Sequence, residues 1–267
     1  MKSNCCFLLA LFTFGTNAIA EDINLNSDSS STIHIVASSG ALTLTTGDSA
    51  VRISSPAECK LNNSTTALQA QGDQLSLNLS FSRDADTTPC PSTVSVPANK
   101  MIIVEMANHD VSITGTALSY LVVAENGSIS FSDTGAAALN AHAKNGSIFV
   151  TRAFAPLGLT SDNGNVNVKD SRGSLIVAGA NNSVSLTNFV FPAGSTNTIK
   201  TINGQVNTKN IRTLTISNKQ AVLNVKARAF STIKFLRERR FKSFPGRRWY
   251  SRSYGKGRSS ARLIVDA

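Results

Sequence analysis

The feature that most constrains how this chain can fold is a repeat of about 18 residues in its middle. The similar phrases ENGSISFS, KNGSIFV and DNGNVNV begin at Glu125, Lys144 and Asp162. The corner asparagines of the whole series are separated by 18, 19, 18 and 18 residues: Asn108, Asn126, Asn145, Asn163 and Asn181. One Asn-Gly pair would predict a β-hairpin, whereas a corner that recurs at a constant spacing belongs to a repeating unit.

Two columns of apolar residues keep the same period. The first lies three and five positions after each corner asparagine: Val111 and Ile113, Ile129 and Phe131, Ile148 and Val150, Val166 and Val168, Val184 and Leu186. The second contains Leu121, Leu139, Leu157 and Leu175, followed two positions later by Val123, Ala141, Leu159 and Val177. Asn203 and Val206 continue the series after a four-residue insertion near FVFPAG. Coils that stack on one another preserve such columns, because each residue then lies above its counterpart one turn below.

The sequence therefore predicts an all-β protein whose centre is a parallel β-solenoid with coils of about 18 residues. A right-handed or irregular coil is favoured, because left-handed hexapeptide coils require an apolar residue at every sixth position and these columns do not supply it. At the corners, stacked asparagines predict a ladder of side-chain amides along the axis. Asparagine and glycine there also suit a left-handed backbone.

Four segments follow from the patterns along the chain. Residues 1–20 have the basic start, apolar run and small-residue site of a secretory signal peptide, with cleavage predicted near Ala20-Glu21. Residues 21–91 form a β-rich N-terminal part containing the alternating strands STIHIV, ALTLTT and LSLNLSF. Residues 92–225 form the coils, and residues 226–267 form a basic aromatic segment with a last strand.

Cysteine usage points to an oxidising compartment. After the predicted signal peptide only Cys59 and Cys90 remain, and an even pair in an exported chain predicts a disulfide. His34, His109 and His142 are scattered and no CxxC occurs, so no zinc ligand set is expected. We find no catalytic, phosphate-binding or calcium-corner motif and predict no cofactor.

The net charge of +10 is concentrated at the C-terminus. Up to Val225 there are 13 Lys and Arg against 14 Asp and Glu, and from Lys226 onward 13 against only Glu238 and Asp266. A helical wheel of this segment places Phe230, Ile233, Leu236, Phe241 and Phe244 on one face, and Pro245-Gly246 would end such a helix.

Three interpretations of the basic segment remain open. It could cap the apolar end of the solenoid, or bind an anionic surface such as lipid headgroups or an acidic glycan. Nucleic acid is the least favoured partner, because the chain is predicted to be exported. The candidate contact residues for an anionic surface are Arg237, Arg239, Arg240, Lys242, Arg247, Arg248, Trp249 and Arg252.

A solenoid enzyme acting on acidic polysaccharide is the alternative function. Asp133 and Asp170 occupy the same position two coils apart, roughly 10 Å if coils stack at the spacing of strands. Glycosidases use a pair of carboxylates across one cleft. Two solvated corner aspartates would have the same spacing, and we favour that interpretation.

A family resemblance supports the non-enzymatic prediction. The segment STVSVPANKMIIVEMANHDVSITG (92–115), with the phrases ENGSISFSDTG, KNGSIFV and DNGNVNV, resembles the bacterial putative-adhesin, or head GIN domain, families. The closing GKGRSSARLIVDA is similar to their late Gly-rich strand. His109 and the insertion at 226–254 depart from the pattern. The resemblance implies an exported β-solenoid of the periplasm or cell surface, with a structural or interactive role among envelope proteins and no catalytic residues.

Overall fold

The computed structural model of this protein shows two long sheets wound into one coil stack. It describes residues 23–25, 30–38, 40–56, 59–61, 67–83, 90–202, 204–213, 221–228, 232–236, 249–254 and 258–265, and these residues contain strands and no helix. Strands are numbered in chain order. Sheet 1 contains β1 (Ile23–Leu25), β3 (Leu42–Thr46), β4 (Val51–Ser54), β9 (Ser92–Val96), β11 (Val111–Thr116), β13 (Ile129–Gly135), β15 (Ile148–Thr151), β17 (Val166–Lys169), β19 (Val184–Thr187), β22 (Gln205–Lys209) and β25 (Thr232–Leu236).

Sheet 2 lies across the core from sheet 1, and two short ladders complete the described strands. Sheet 2 contains β2 (Thr32–Ala37), β6 (Ala67–Gln71), β7 (Gln74–Leu79), β10 (Met101–Asn108), β12 (Ser119–Asn126), β14 (Leu139–Ala143), β16 (Leu157–Ser161), β18 (Leu175–Gly179), β21 (Thr196–Thr201), β24 (Ala221–Arg228), β26 (Trp249–Tyr254) and β27 (Arg258–Val265). The short ladders pair β5 (Cys59–Leu61) with β8 (Phe81–Arg83), and β20 (Val190–Phe191) with β23 (Arg212–Thr213).

The repeat predicted from the sequence is confirmed as parallel pairing between successive coils. Val111 pairs with Ile129, which pairs with Ile148, and the ladder continues through Val166 and Val184. All five side chains are fully buried between the sheets. The Asn126-Gly127 corner therefore joins a strand of sheet 2 to one of sheet 1 and does not close a hairpin. The all-β solenoid is confirmed, and the handedness of its coil stays a prediction.

Two members of the second apolar column were predicted wrongly. Leu139 pairs with Tyr120, not with Leu121, and Ala141 pairs with Val122, not with Val123. Leu121 is 40% exposed on the outer face of sheet 2. The ladder between β11 and β13 shifts register after Thr114, so that Asp133 is an extra residue in the second coil.

The corners confirm the predicted amide ladder. The side-chain amide of Asn126 donates to the Asn108 side-chain oxygen at 3.0 Å, and the next donations follow at 2.9, 3.0 and 3.0 Å from Asn145, Asn163 and Asn181. Each amide thus satisfies the one below it, as a stack of identical side chains allows.

Apart from His109, which follows the first corner asparagine with φ 83°, the left-handed backbone lies at a different corner from the one predicted. It occurs seven positions after the corner asparagine, with φ between 52° and 55° at Asp133, Arg152, Asp170, Asn188 and Asn210. The glycines of the Asn-Gly corners are needed for another reason. A Cβ on Gly146 would lie 2.0 Å from the carbonyl oxygen of Gly127, and one on Gly164 would lie 2.0 Å from that of Gly146. Adjacent coils therefore approach too closely there for any side chain.

Strands on both sides of residues 92–225 belong to the same two sheets. At the N-terminal end, β7 and β2 add to sheet 2 in parallel, and antiparallel β6 follows. At the other end, β24 pairs in parallel with β21 and antiparallel with β27, which pairs antiparallel with β26. Antiparallel strands thus flank the coil stack of sheet 2 at both ends.

The helical arrangement considered for the basic segment does not occur at residues 232–236. These residues form β25, which pairs in parallel with β22. The edge of the coil stack offers unpaired backbone groups, and alternating Ile233 and Phe235 suit a strand that fills it. Phe230, Phe241 and Phe244 lie outside the described residues.

The disulfide predicted from the cysteine count is confirmed. Cys59 in β5 is bonded to Cys90, just before β9, across a sequence separation of 31 residues. Both cysteines are buried against the core. The bond therefore ties β5 to the chain just before β9 of sheet 1.

We expect Gly146→Ala to lower the free energy of unfolding by about 2 kcal/mol, because backbone atoms must move to accept the new methyl group. Gly135→Ala is the matched control, since the atom nearest to its Cβ would be the Thr116 hydroxyl oxygen, at 3.2 Å. Urea denaturation of both variants measures the difference. Equal stability of the two variants would contradict the close approach of the coils.

Replacing Cys59 and Cys90 together by Ser should lower the free energy of unfolding by about 3–4 kcal/mol, because the unfolded chain regains the freedom of a long loop. Denaturation of the variant and of the oxidised protein tests this. Reductant should destabilise the native protein and leave the double variant unchanged. A variant as stable as the oxidised protein would show that the bond is dispensable for the stack.

Candidate ligand-binding surface

The predicted anionic-surface contacts fall mostly outside the described residues. Arg237, Arg239, Arg240, Lys242, Arg247 and Arg248 lie there, whereas Trp249 and Arg252 belong to β26. The structure thus assigns the end of this segment to the edge of sheet 2. The anionic-surface role of these residues stays a prediction.

The aspartates considered as a catalytic pair are part of a polar column at the left-handed corner. Arg152 lies between them in the stack, and its Nε and Nη2 donate to the two carboxylate oxygens of Asp133 at 2.5 and 2.6 Å. Asp170 accepts a hydrogen bond from the Asn188 amide at 2.5 Å, and the Asn210 amide donates to the Asn188 side-chain oxygen at 2.7 Å. Both carboxylates are thus occupied by neighbouring coils.

The electrostatics of this column do not suit a general acid. Hydrogen bonds from Arg152, together with its charge, hold the pKa of Asp133 below its ordinary value. Glycosidases need the opposite shift in their acid, which must stay protonated near neutral pH. Asp133 and Asp170 are therefore better explained as corner residues that stabilise the stack.

A third edge of the solenoid carries the most distinctive exposed chemistry. Two positions beyond each left-handed residue, single parallel bridges join Gly135 to Phe154, Phe154 to Arg172 and Arg172 to Val190. Phe154, Arg172 and Val190 each follow an inward, buried residue, namely Ala153, Ser171 and Phe189, so their side chains lie on the outer face. This column was missed from the sequence because its members share no residue type, although its constant offset from the corner asparagines could have identified it.

Phe154 and Arg172 form a stacked pair on this edge. The guanidinium carbon of Arg172 lies 4.7 Å from the centroid of the Phe154 ring, a cation–π distance. The ring remains 52% exposed. Within the described part of the chain, Arg172 has no ion pair or hydrogen bond from its guanidinium. Its charge is therefore held in place by an aromatic ring and open to a ligand.

The pair lines a shallow groove of about 290 Å³. We call it the Phe154–Arg172 groove. Its lining is mainly apolar, and the guanidinium is its one charged group. The lining residues are Phe154, Ala155, Pro156, Arg172, Gly173, Ser174, Val190 and Pro192.

The described residues contain no cluster of three or more His, Cys, Asp or Glu side chains that could hold a metal ion. Two of the histidines each lie beside a single carboxylate. His34 Nε2 lies 3.2 Å from a Glu105 oxygen, and His142 Nε2 lies 3.3 Å from an Asp162 oxygen. A search of the same residues for a helix long and apolar enough to cross a membrane found none.

Comparison with known structures identifies the architecture. The protein is similar to a putative adhesin from Bacteroides fragilis with a TM-score of 0.52 and 13% sequence identity, over 82% of this chain and 98% of the other. The resemblance to the adhesin-type fold is confirmed. At this identity the likeness shows the fold alone. No protein-family model and no curated protein sequence matches the chain.

Two further structures share less of the geometry. A putative cell adhesion protein from Clostridium sporogenes has a TM-score of 0.34 and 10% identity, over 72% of this chain and 98% of the other. A putative lipid binding protein from Parabacteroides distasonis has a TM-score of 0.29 and 9% identity, over 82% and 95%. At such scores neither protein adds to the argument.

Arg152→Gln should raise the pKa of Asp133 toward its ordinary value of about 3.9. In the native protein the lowered pKa contributes stability that is present above this value and is lost as the pH falls through the folded-state pKa. The stability difference between protein and variant should therefore disappear in acid. NMR titration of the Asp133 carboxyl carbon measures the pKa, with Lys169→Gln, beside Asp170, as control. An unchanged pKa in Arg152→Gln would contradict the assigned ion pair.

Proposed function

We propose that this chain is an exported, non-catalytic, adhesin-like protein of the cell envelope that acts by presenting its outer surfaces to a partner. The observation that carries the proposal is the structural match to a putative adhesin over 98% of that protein. The uninterrupted coil stack supports it further, since a stack of this kind offers long regular faces. The hydrogen bonds from neighbouring coils to both carboxylates at the left-handed corner support a stabilising role for the pair that the sequence offered.

Export is supported by two independent features. Residues 1–20 have the composition of a secretory signal peptide, and they lie outside the described residues. The Cys59–Cys90 disulfide suits an oxidising compartment such as the periplasm or the cell surface.

The basic C-terminal segment has two roles in this proposal. Its strands β26 and β27 cover the β24 edge of sheet 2, which otherwise would offer unpaired backbone groups to another chain. Its cations would contact an anionic surface, a lipid membrane or an acidic glycan. The cap role belongs to residues 249–265 and the contact role mainly to residues 237–248, so the two can be tested separately.

Removal of residues 249–267 should expose the β24 edge and cause concentration-dependent association, measured by light scattering after size-exclusion chromatography. The matched variant keeps both strands and replaces Arg237, Arg239, Arg240, Lys242, Arg247 and Arg248 by Gln. It should stay monodisperse to the same extent as the native protein.

The same Gln variant tests the contact role. Native protein should bind vesicles containing phosphatidylglycerol at low salt and weaken as salt screens the charges, whereas the Gln variant should bind weakly at both. Vesicles of phosphatidylcholine are the control. Equal binding of both proteins to the anionic vesicles would remove the contact role, and an unassociated truncation would remove the cap role.

A further inference from the structure

We propose that the Phe154–Arg172 groove binds a carboxylated sugar unit of an acidic polysaccharide. This inference rests on the proposed function, because it names the class of ligand that a non-catalytic surface of the protein would take. The groove lies on the third edge of the coils and involves none of the C-terminal cations. It is therefore a second, separate contact site.

The charge of the groove selects an anion. Arg172 is exposed, and no carboxylate of the described residues pairs with it. The residues before and after it in the bridge ladder are Phe154 and Val190, so stacking brings no neighbouring charge to neutralise it. A guanidinium presents two parallel N–H donors that match a carboxylate. The Phe154 ring holds this fork in place before the ligand arrives, which reduces the cost of ordering it on binding.

The apolar lining selects a ligand with an apolar face beside its negative charge. Pro156, Val190 and Pro192 line the groove together with the exposed ring of Phe154. A pyranose ring has such a face, formed by its C–H groups, and a uronic acid adds a carboxylate at the ring edge. A small inorganic anion would leave the apolar lining unused. A uronate uses both parts of the site.

The dimensions of the groove fit one sugar unit of a longer chain. Its volume of about 290 Å³ is at the lower end of ligand pockets, and it is shallow. It crosses the coils that contain Phe154, Arg172 and Val190, roughly 10 Å at the spacing of strands. A linear polymer can enter such a site at any unit, and weak binding of each unit is strengthened when one polymer chain engages several proteins on a surface.

Titration of the full mature chain with polygalacturonate oligosaccharides tests the proposal, with affinity measured by calorimetry at physiological ionic strength. Arg172→Gln should weaken binding at least about tenfold, because it removes a charge-assisted hydrogen-bonding pair. Phe154→Ala should weaken binding about threefold or more through loss of the apolar surface and of the stacked arginine. Arg172→Lys should bind more weakly than the native protein and more tightly than Arg172→Gln, since it keeps the charge and loses the planar fork.

Lys200→Gln is the matched control, because it removes one exposed cation from the outer face of sheet 2. It should bind as the native protein does. Thermal unfolding of each variant, followed by circular dichroism, verifies that the coils are intact. Carboxyl-reduced oligosaccharides of the same length provide the ligand control and should not bind.

Three results would overturn the proposal. The first is that Arg172→Gln binds as tightly as Lys200→Gln. The second is that the native protein binds the carboxyl-reduced sugar as tightly as the acid. Arg172-dependent binding could also appear on phosphatidylglycerol vesicles and not on polygalacturonate, in which case the occupant is a lipid headgroup.

The length of the polygalacturonate after incubation separates this inference from the proposed function. A shortened polymer would overturn the non-catalytic function while leaving Arg172-dependent binding intact. An intact polymer without Arg172-dependent binding would overturn only the inference about the groove.

Discussion

Parallel backbone pairing between successive coils is the constraint on which the rest of this structure depends. Each strand of the repeat hydrogen-bonds to its equivalent one coil away, so every side chain lies next to the side chain at the same coil position. The choice of residue is therefore made for a whole column and not for one site. Inward columns become mainly apolar, and the corner column becomes a ladder of asparagine amides.

The same pairing explains where the chain tolerates irregularity. Asp133 is accommodated as an extra residue at a corner, outside the buried segment that contains Ile129 and Phe131. The four-residue insertion of the fifth coil falls between β20 and β21, in a connection. Within a strand, one added residue would move every following side chain to the opposite face. Irregularity is thus confined to positions where the register of both sheets survives.

The repetition of residue types in columns determines how much of the fold could be predicted from the sequence. The column from Val111 to Val184 contains only Val and Ile, and the corner column contains only Asn. The constant spacing of these columns therefore revealed both the coil and the ladder. Leu121 was assigned to the wrong column because Leu is apolar on either face, and the sequence does not show that Asp133 is inserted. The left-handed corner was misplaced because the residues in its column differ in type. The corner glycines are explained by steric contact between adjacent coils, which only the structure reveals.

The C-terminal segment shows a second limit of sequence patterns. Residues 232–236 fit a helical wheel as well as a strand, because a short apolar run satisfies both periods. The available backbone edge of β22 decided in favour of a strand. For the groove, the sequence offered less: Phe154 and Arg172 are 18 residues apart and chemically unlike, so only their bridge in the folded coil makes them one feature.

Stacking also determines which charges of such a protein are available for function. Like charges in adjacent coils would lie one strand spacing apart and destabilise the stack, so the left-handed column alternates Asp133, Arg152 and Asp170 and then continues with amides. The charged side chains of that column are therefore bonded to residues of neighbouring coils. Arg172 differs because its column neighbours are an aromatic and an aliphatic side chain, which leave its charge without an acidic partner among the described residues. A cation that the stack does not neutralise can be reached by a ligand from outside.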